Sequence, residues 1–169
     1  MANLCEFMMK IKGKTENVYE LIRLMKADLN NHNEQTGKKK RIECVDVLSM
    51  ENVNGTYVAT IDGNCSWSVY TSMLEEGIHT TIPVESKRLN IDVEIYSAGT
   101  GFMEHYIIKN GVLESSKCVD YEEYCIEGYN TKEEAEEDLD IHFTDKEWAN
   151  ANHDEGYITC GGMEWHFAI

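Results

Sequence analysis

The chain has 169 residues, enough for one domain with a substantial hydrophobic core, and its 31 acidic and 15 basic residues give a net charge of −16. This charge would repel a free nucleic-acid backbone and attract a basic protein surface. No run of about 18 apolar residues is present, which argues against a membrane span. The start MANLCEFMMKIKG lacks a basic segment before an apolar one, and six cysteines are scattered without a CxxC pair, so we expect a cytoplasmic protein with reduced thiols.

The first 62 residues predict three strands and one helix. Residues 5 to 12 alternate apolar and polar side chains, as a half-buried strand does, and apolar residues recur at helical spacing from about Glu16 to Leu29. Two more strands are predicted around Arg41 to Leu48 and Thr56 to Asp62. The dipeptide Asn54-Gly55 between them is a hairpin turn signal, so these two strands should pair.

A second helix is predicted within the segment DGNCSWSVYTSML. Helical spacing places four of its side chains toward the core: Trp67, Tyr70, Met73 and Leu74. A link that holds the only proline, Pro83, follows this helix, and a short helical turn is expected around Val84 to Leu89.

The segment after residue 90 predicts three more strands. Residues 91 to 96 and 102 to 109 alternate as strands do, and Gly99-Thr100-Gly101 lies between them. A phosphate-binding loop requires a helix directly after its glycines, because the free N–H groups at the helix start bind the anion. A strand follows here instead, so we expect a tight turn. Asn110-Gly111 predicts another turn, which leads to a strand around Val112 to Tyr121.

The last third of the chain predicts two short helices and a final strand. Thr131 to Glu134 and Thr144 to Glu147 match the capping-box pattern at a helix start. A terminal strand is expected over Met163 to Ile169, after a turn at Gly161-Gly162. The complete order of elements predicts an α+β fold, with helices on one face of an antiparallel sheet.

Three stretches of this sequence resemble a known family. They are MANLCEFMMKIKG with the amphipathic helix behind it, CSWSVY, and NIDVEIYSAGTGFMEHYIIKNG. Together they resemble the YubB-type ferredoxin-like proteins of phages and plasmids, over residues 1 to 115. The resemblance implies a ferredoxin-like antiparallel sheet and a mobile-element origin, and no catalytic residue is carried over. We therefore expect a ferredoxin-like core over 1–118, and an acidic helical segment with a C-terminal strand over 119–169 that packs on the same domain and ends in a hairpin.

Histidines beside carboxylates are the only candidates for chemistry. His105 and His166 lie on predicted strands near Glu104 and Glu164, and a metal site built from His142, Asp140 and Asp145 is conceivable. No metal-ligand spacing, nucleophile elbow or activated-cysteine context accompanies them. We therefore expect a protein that is not an enzyme, with no cofactor and no metal. The basic cluster Lys38 to Arg41 is interpreted as a solvated loop.

Acidic residues concentrate near the carboxyl end. After Val112 there are 16 acidic and 3 basic residues, so this third holds −13 of the −16. Residues 133 to 140 contain six carboxylates, and as a helix of about 12 Å they would present roughly one charge per 2 Å, close to the one per about 1.7 Å of duplex DNA. Ten residues form the predicted partner-binding surface: Asp120, Glu122, Glu123, Glu127, Glu133, Glu134, Glu136, Glu137, Asp138 and Asp140.

We expect this surface to imitate nucleic acid toward a basic nucleic-acid-binding host defence protein, such as a CRISPR effector nuclease, without direct binding to nucleic acid or membrane. Two other interpretations stay open. The chain could be a regulatory or structural protein whose acidity only aids solubility, with any binding at the sheet or at the apolar strand Phe102 to Ile108. It could also be a metal-dependent enzyme that uses His105, His142 or His166.

Overall fold

The computed structural model describes residues 4–30, 41–75 and 81–169, without the side chains of 28–30. It is an α+β fold whose seven strands form an antiparallel sheet in the order β2-β3-β1-β4-β5-β6-β7. Within these ranges no helix has the length and apolar character needed to cross a membrane. Lys38 to Lys40 of the basic cluster lie outside the described residues.

The strands are β1 (Leu4–Gly13), β2 (Ile42–Val53), β3 (Thr56–Ser66), β4 (Asp92–Gly99), β5 (Phe102–Lys109), β6 (Val112–Cys125) and β7 (Tyr157–Gly161). The helices are α1 (Thr15–Asn30), α2 (Ile82–Leu89), α3 (Lys132–Leu139) and α4 (Asp145–Ala149), and a π-helical turn covers Tyr70–Leu74.

The described chain divides into two compact units. The first unit comprises residues 1–118 and 165–169, and the second comprises 119–164. The predicted terminal strand over Met163 to Ile169 is wrong: the last strand is β7, and residues 162–169 have no regular secondary structure. The final five residues instead belong to the first unit, where they lie against its sheet. No terminal hairpin forms, because β7 pairs with the distant strand β6.

The core of the first unit follows from the alternation seen in the sequence. Every second side chain of β1 is buried, as are the four side chains of α1 at helical spacing that face them. Complete burial of an aliphatic or aromatic side chain is worth about 1.5–3 kcal/mol, so this contact is a main source of the unit's stability. The buried residues are Cys5, Phe7, Met9, Ile11, Val18, Leu21, Ile22 and Met25.

Two tight turns occur where glycines predicted them. Gly101 adopts a left-handed φ of +80° between β4 and β5, and Gly111 adopts +83° between β5 and β6. A side chain at Gly99 would also collide with the Phe102 ring, since its Cβ would lie 2.3 Å from the nearest ring atom. The prediction of a turn in place of a phosphate loop is confirmed.

The predicted second helix is only partly correct. Met73 and Leu74 are buried as expected, but Trp67 is 59% exposed and Tyr70 is 46% exposed. The segment 70–74 is a π-helix, in which the Glu75 N–H bonds to the Tyr70 carbonyl five residues back. The 3.6-residue period used for the prediction therefore does not apply to it. Trp67 precedes this turn and lies in a loop with a left-handed φ of +73°.

A completely buried carboxylate anchors the final residues to the sheet. Glu94 on β4 is 0% exposed, and its Oε2 accepts the backbone N–H groups of Ala168 at 2.6 Å and Ile169 at 3.0 Å. Its other oxygen lies 2.8 Å from Nε2 of His105 on β5. A buried charge is tolerated when hydrogen bonds replace its lost hydration, so these three contacts keep Glu94 in the sheet.

Aromatic packing secures the same segment. The Tyr96 hydroxyl donates to the His166 carbonyl at 2.8 Å. The Tyr96 ring packs against Trp165 at 5.9 Å and Phe167 at 5.2 Å between ring centroids, and stacks on His105 at 4.1 Å. Residues 165–169 are therefore held by backbone hydrogen bonds and by ring contacts together.

We expect the substitution Glu94→Gln to lower the free energy of unfolding by about 1–3 kcal/mol, because the amide has a single acceptor oxygen and places a donor NH2 group where the second oxygen was. Urea unfolding measures this loss, and hydrogen exchange at the Ala168 and Ile169 amides should accelerate with it. Glu6→Gln, at an exposed glutamate of β1, is the matched control and should change stability by less than about 0.5 kcal/mol. Equal effects of the two substitutions would contradict the anchoring role of Glu94.

Candidate protein-binding surface

The second unit contains most of the charge of the chain. Residues 119–164 include 15 acidic and 2 basic side chains, for a net charge of −13, whereas the first unit has 16 acidic and 13 basic side chains, for −3. Self-repulsion of this size opposes the compact state, so the local structure has to hold like charges together.

A small core organises this unit. Its completely buried side chains come from the connections, from α3 and from β7, and aromatic rings close over them. Phe143 is the largest, and it packs against Tyr124 and Trp148 with ring centroids 6.0 Å apart in each case. The core residues are Ile126, Ala135, Phe143 and Ile158, and Tyr124, Tyr129, Leu139, Ile141 and Trp148 pack around them.

Helix α3 begins at the predicted cap. The Thr131 hydroxyl accepts the Glu134 backbone N–H at 3.3 Å. The Glu134 carboxylate accepts a backbone N–H from Asn130 at 3.0 Å, one residue before the cap. Carboxylates in the first turn are also favoured by the helix dipole, so the acidic start of α3 stabilises the helix.

The periodicity of α3 sorts its side chains onto two faces. Lys132, Ala135, Glu136 and Leu139 recur at spacings of three and four and face inward, with Ala135 completely buried. Glu133, Glu134, Glu137 and Asp138 occupy the other face, and all four are exposed. These four carboxylates form a continuous row along the helix, the acidic ridge.

Glu136 does not belong to the ridge, contrary to the sequence prediction. Its Oε1 accepts the Phe143 backbone N–H at 2.8 Å and lies 3.0 Å from Nδ1 of His142. Lys132 approaches the same oxygen at 3.7 Å. Glu136 therefore fastens the segment after α3 to the helix, which is a structural role.

The predicted acidic residues outside α3 do not extend the ridge in one row. Successive side chains of a strand point to opposite faces, so Glu122 and Glu123 on β6 diverge. Asp120 shares the Glu122 side, and Glu122 accepts a hydrogen bond from the Tyr124 hydroxyl, which raises the pKa of Tyr124. Glu127 follows the strand and is exposed. Asp140 caps the carboxyl end of α3 in a left-handed conformation, and it is also exposed.

Both lysines of the second unit are engaged away from the ridge. Lys132 pairs with Asp145 at 2.8 Å, and Lys146 pairs with Glu164 at 2.5 Å. These contacts raise the pKa of each lysine. No basic side chain occupies the last turn of α3, where the helix dipole is negative and Asp138 adds to it. Neither lysine of this unit therefore forms an ion pair with a ridge carboxylate.

A shallow open depression adjoins the ridge. Three ridge carboxylates, Glu134, Glu137 and Asp138, line one part of it. Gly128, Tyr129 and Asn130 line the rest, and the Tyr129 hydroxyl donates to Asp138, which raises the pKa of Tyr129. Three carboxylates around a depression form a suitable receptor for the cationic head of a lysine or arginine side chain.

The candidates for chemistry are placed differently from the prediction. His105 pairs with Glu94 and not with Glu104, because neighbours on a strand point to opposite faces. His142 contacts Glu136, and the described ranges contain no group of three or more histidine, cysteine or acidic residues arranged to hold a metal ion. Tyr106 and Ile108 of the predicted apolar binding strand are buried in the core of the first unit, whereas Phe102, Met103 and Ile107 of the same strand are half-buried.

Glu104 is a buried carboxylate whose role the sequence reasoning missed. It is 4% exposed, and its oxygens accept hydrogen bonds from the Val69 N–H at 2.9 Å, the Ser97 hydroxyl at 2.9 Å and the Tyr106 hydroxyl at 2.8 Å. Burial, followed by this hydrogen bond, raises the pKa of Tyr106. The sequence did contain a signal for this burial: Glu104 lies on the same strand face as Phe102 and Tyr106.

Comparison of the chain with models of protein families, with curated proteins and with solved structures found no match.

We expect Glu137→Gln to raise the free energy of unfolding of the second unit by a few tenths of a kcal/mol, because the i,i+4 repulsion between Glu133 and Glu137 is removed while the favourable carboxylates of the first turn stay in place. Hydrogen exchange of the α3 amides at low ionic strength measures the gain, which should shrink as salt screens the charges. A loss of protection would contradict the assignment of Glu137 to a surface that the fold itself does not need.

Glu147 gives the second unit a defined acid sensitivity. Its hydrogen bonds with the Thr144 hydroxyl and backbone N–H lower its pKa, and the Lys132 ion pair lowers the pKa of Asp145. A carboxyl group whose pKa is lower in the folded state than in the unfolded state stabilises the fold at any pH above its unfolded-state pKa. This stability is lost as the pH falls through the folded-state pKa.

The melting temperature of the unit, followed through the Trp148 indole signal, should therefore fall as the pH drops below about 4.5. Glu147→Gln should lower stability at neutral pH by roughly 0.5–1 kcal/mol and flatten the acid decline. Glu123→Gln is the exposed control. An unchanged pH profile in Glu147→Gln would refute the contribution of this capping box.

Proposed function

We propose that the chain is a non-catalytic binding protein of a mobile genetic element, which inhibits a basic nucleic-acid-binding host protein by imitating nucleic acid. One observation supports this most: four exposed carboxylates occupy one face of α3 while both lysines of the same unit pair elsewhere. A basic groove that normally binds phosphates would supply the missing positive charge. The proposed partner is a protein, with no direct contact to nucleic acid or membrane.

The spacing of the ridge supports imitation of a phosphate backbone. Glu133 and Asp138 are five residues apart, which corresponds to about 7.5 Å along a helix. Four charges over this distance are separated by three intervals of about 2.5 Å each, against one charge per about 1.7 Å of duplex DNA. Association driven by such a charge line would be fast and strongly dependent on salt.

The arrangement of the first unit supports a ferredoxin-like core, which is the fold that the resemblance to mobile-element proteins implies. Strands β1 to β4 lie in the order β2-β3-β1-β4, with α1 between β1 and β2 and α2 between β3 and β4. A strand-helix-strand-strand-helix-strand order of this kind is typical of ferredoxin-like domains, so it agrees with the resemblance to YubB-type proteins. Strands β5 to β7 and the second unit would then be additions to that core. A CRISPR effector nuclease in the cytoplasm is the partner that this origin and the charge favour.

The histidine contacts favour binding over catalysis. His105 contacts Glu94, which anchors residues 168 and 169, and His142 contacts Glu136, which fastens the segment after α3. Both histidines therefore have structural partners. The acidic ridge is left as the surface whose negative charge forms no ion pair with a lysine of its own unit. No cofactor is part of this proposal.

Affinity capture from a host lysate tests the proposal. The tagged chain should retain a nucleic-acid-binding protein at about 50 mM salt and release it at about 200 mM. Neutralisation of the ridge by Glu133→Gln, Glu134→Gln, Glu137→Gln and Asp138→Asn should weaken retention by roughly tenfold or more, since even a few tenths of a kcal/mol per charge sums to about 1.4 kcal/mol.

A matched control removes the same amount of charge elsewhere. Glu6→Gln, Asp46→Asn, Glu51→Gln and Asp154→Asn neutralise four exposed carboxylates that lie outside the ridge and outside the predicted partner-binding surface. Retention by this control with loss in the ridge variant would support the ridge as the binding surface. Equal loss in both variants, or binding that is insensitive to salt, would reject it.

A further inference from the structure

Cys5 and Cys65 lie directly opposite each other in the sheet. They are Cα partners in the antiparallel pairing of β1 with β3, so their side chains point to the same face. Both are 0% exposed and belong to the core of the first unit. Opposite residues of an antiparallel pair have Cα atoms about 4.5–5.5 Å apart, and a disulfide joins Cα atoms about 4.4–6.8 Å apart. The register of the two strands therefore places these cysteines within the span of a disulfide.

The two side chains are free thiols in this structure, and they contact each other. A hydrogen bond between them lowers the pKa of Cys5 and raises the pKa of Cys65. Burial and the charge of Glu104 act to raise the pKa of both thiols. The Cys65 S–H group thus stabilises a thiolate at Cys5, and the thiolate is the form of cysteine that attacks a disulfide.

Polar groups surround the pair inside the core. The Ser97 hydroxyl and the Val69 backbone contact the Cys5 thiol, and the Ser72 hydroxyl contacts the Cys65 thiol. A cysteine that only fills space behaves as a small apolar side chain and needs no such partners. These contacts hold both sulfur atoms in place, so the pair has a defined geometry before any bond forms.

The other four cysteines are placed differently. Three of them have partners of another kind across their strands, and these pairs are Cys44 with Asn64, Cys125 with Tyr157 and Cys160 with Glu122. Cys118 lies seven residues before Cys125 on the same strand, so about 23 Å of extended chain separates the two. Among the described strand pairings, the register therefore favours one disulfide, between Cys5 and Cys65.

We propose that Cys5 and Cys65 form an oxidation site, where a small disulfide such as oxidised glutathione converts the two thiols into a cross-strand disulfide bond. The bond would join β1 to β3 in the first unit, next to the buried network of Glu104. The site does not rest on the proposed function, because the acidic ridge belongs to the second unit.

The reaction consists of two thiol–disulfide exchanges. The Cys5 thiolate attacks one sulfur of oxidised glutathione, and one glutathione thiolate leaves. The Cys65 thiol then loses its proton to solvent and attacks the Cys5 sulfur of the mixed disulfide, and the second glutathione thiolate leaves. Two cysteine thiols are oxidised, and one oxidised glutathione is reduced to two thiols. Because both cysteines are 0% exposed, the exchange takes place while the chain folds or opens locally, and burial then shields the bond from reductants.

Refolding in a glutathione buffer tests the site on the full chain. The reduced, unfolded chain is diluted into buffer rich in oxidised glutathione, free thiols are blocked with N-ethylmaleimide, and the products are analysed by mass spectrometry. Of the six cysteines, four should be blocked in the main product, and proteolytic fragments should link Cys5 to Cys65. A main product with six blocked thiols, with bound glutathione or with other cysteines joined would overturn the proposal.

Thermal unfolding measures how well the fold accepts the bond. The oxidised chain should melt about 5–10 °C above the reduced chain, because the bond restricts the unfolded state. Cys65→Ala should lose both the bond and this gain. Cys44→Ala, the matched control at a partly buried cysteine of the neighbouring strand β2, should keep both.

A lower melting temperature after oxidation would show that the native register does not fit the bond, and it would also overturn the proposal. Retention of the one-disulfide product in Cys65→Ala would do the same. The fragment map of the unaltered chain decides the site even where Cys65→Ala folds poorly.

Discussion

Repulsion between the four carboxylates of the acidic ridge is the constraint on which the rest of the second unit depends. The inward face of α3 holds these like charges together: Ala135 is buried, Lys132 pairs with Asp145, and Glu136 accepts the Phe143 N–H. These contacts stabilise the helix without neutralising its outer face. A protein that needed only solubility could interleave lysines among the acids, which would stabilise the helix by i,i+4 pairs. The arrangement found here gives up that stability, and in the proposed function its charge is available to a basic partner.

Carboxylates have two separate roles in this chain, and burial distinguishes them. Glu94 and Glu104 are buried, and each accepts several hydrogen bonds that hold a loop or the final residues in place. Glu133 and Glu137 are exposed, and their carboxylates lie on the outer face of α3. The first group gives the first unit a rigid frame. The second group provides a surface charge that long-range attraction can use.

Local pattern predicted much of the fold and part of the candidate site. The alternation in β1, the turns at Gly101 and Gly111, and the cap at Thr131 each depend on neighbouring residues, so the sequence was sufficient for them. The density of acidic residues in the sequence predicted the position of the ridge. It did not predict that Glu136 faces inward. Other features depend on distant contacts. Burial of Glu94 requires Ala168 and Ile169, which lie 74 and 75 positions later in the chain. Trp67 has a left-handed backbone, which no periodicity in the sequence reveals.

Displacement of nucleic acid tests the central claim most directly. A fluorescently labelled duplex is bound to the captured partner, and its anisotropy is followed as the purified chain is added. The chain should release the duplex, release should weaken with added salt, and the ridge-neutralised chain should release it poorly. If the chain binds the partner while the duplex stays bound, the ridge does not occupy the nucleic-acid groove, and imitation of nucleic acid is contradicted.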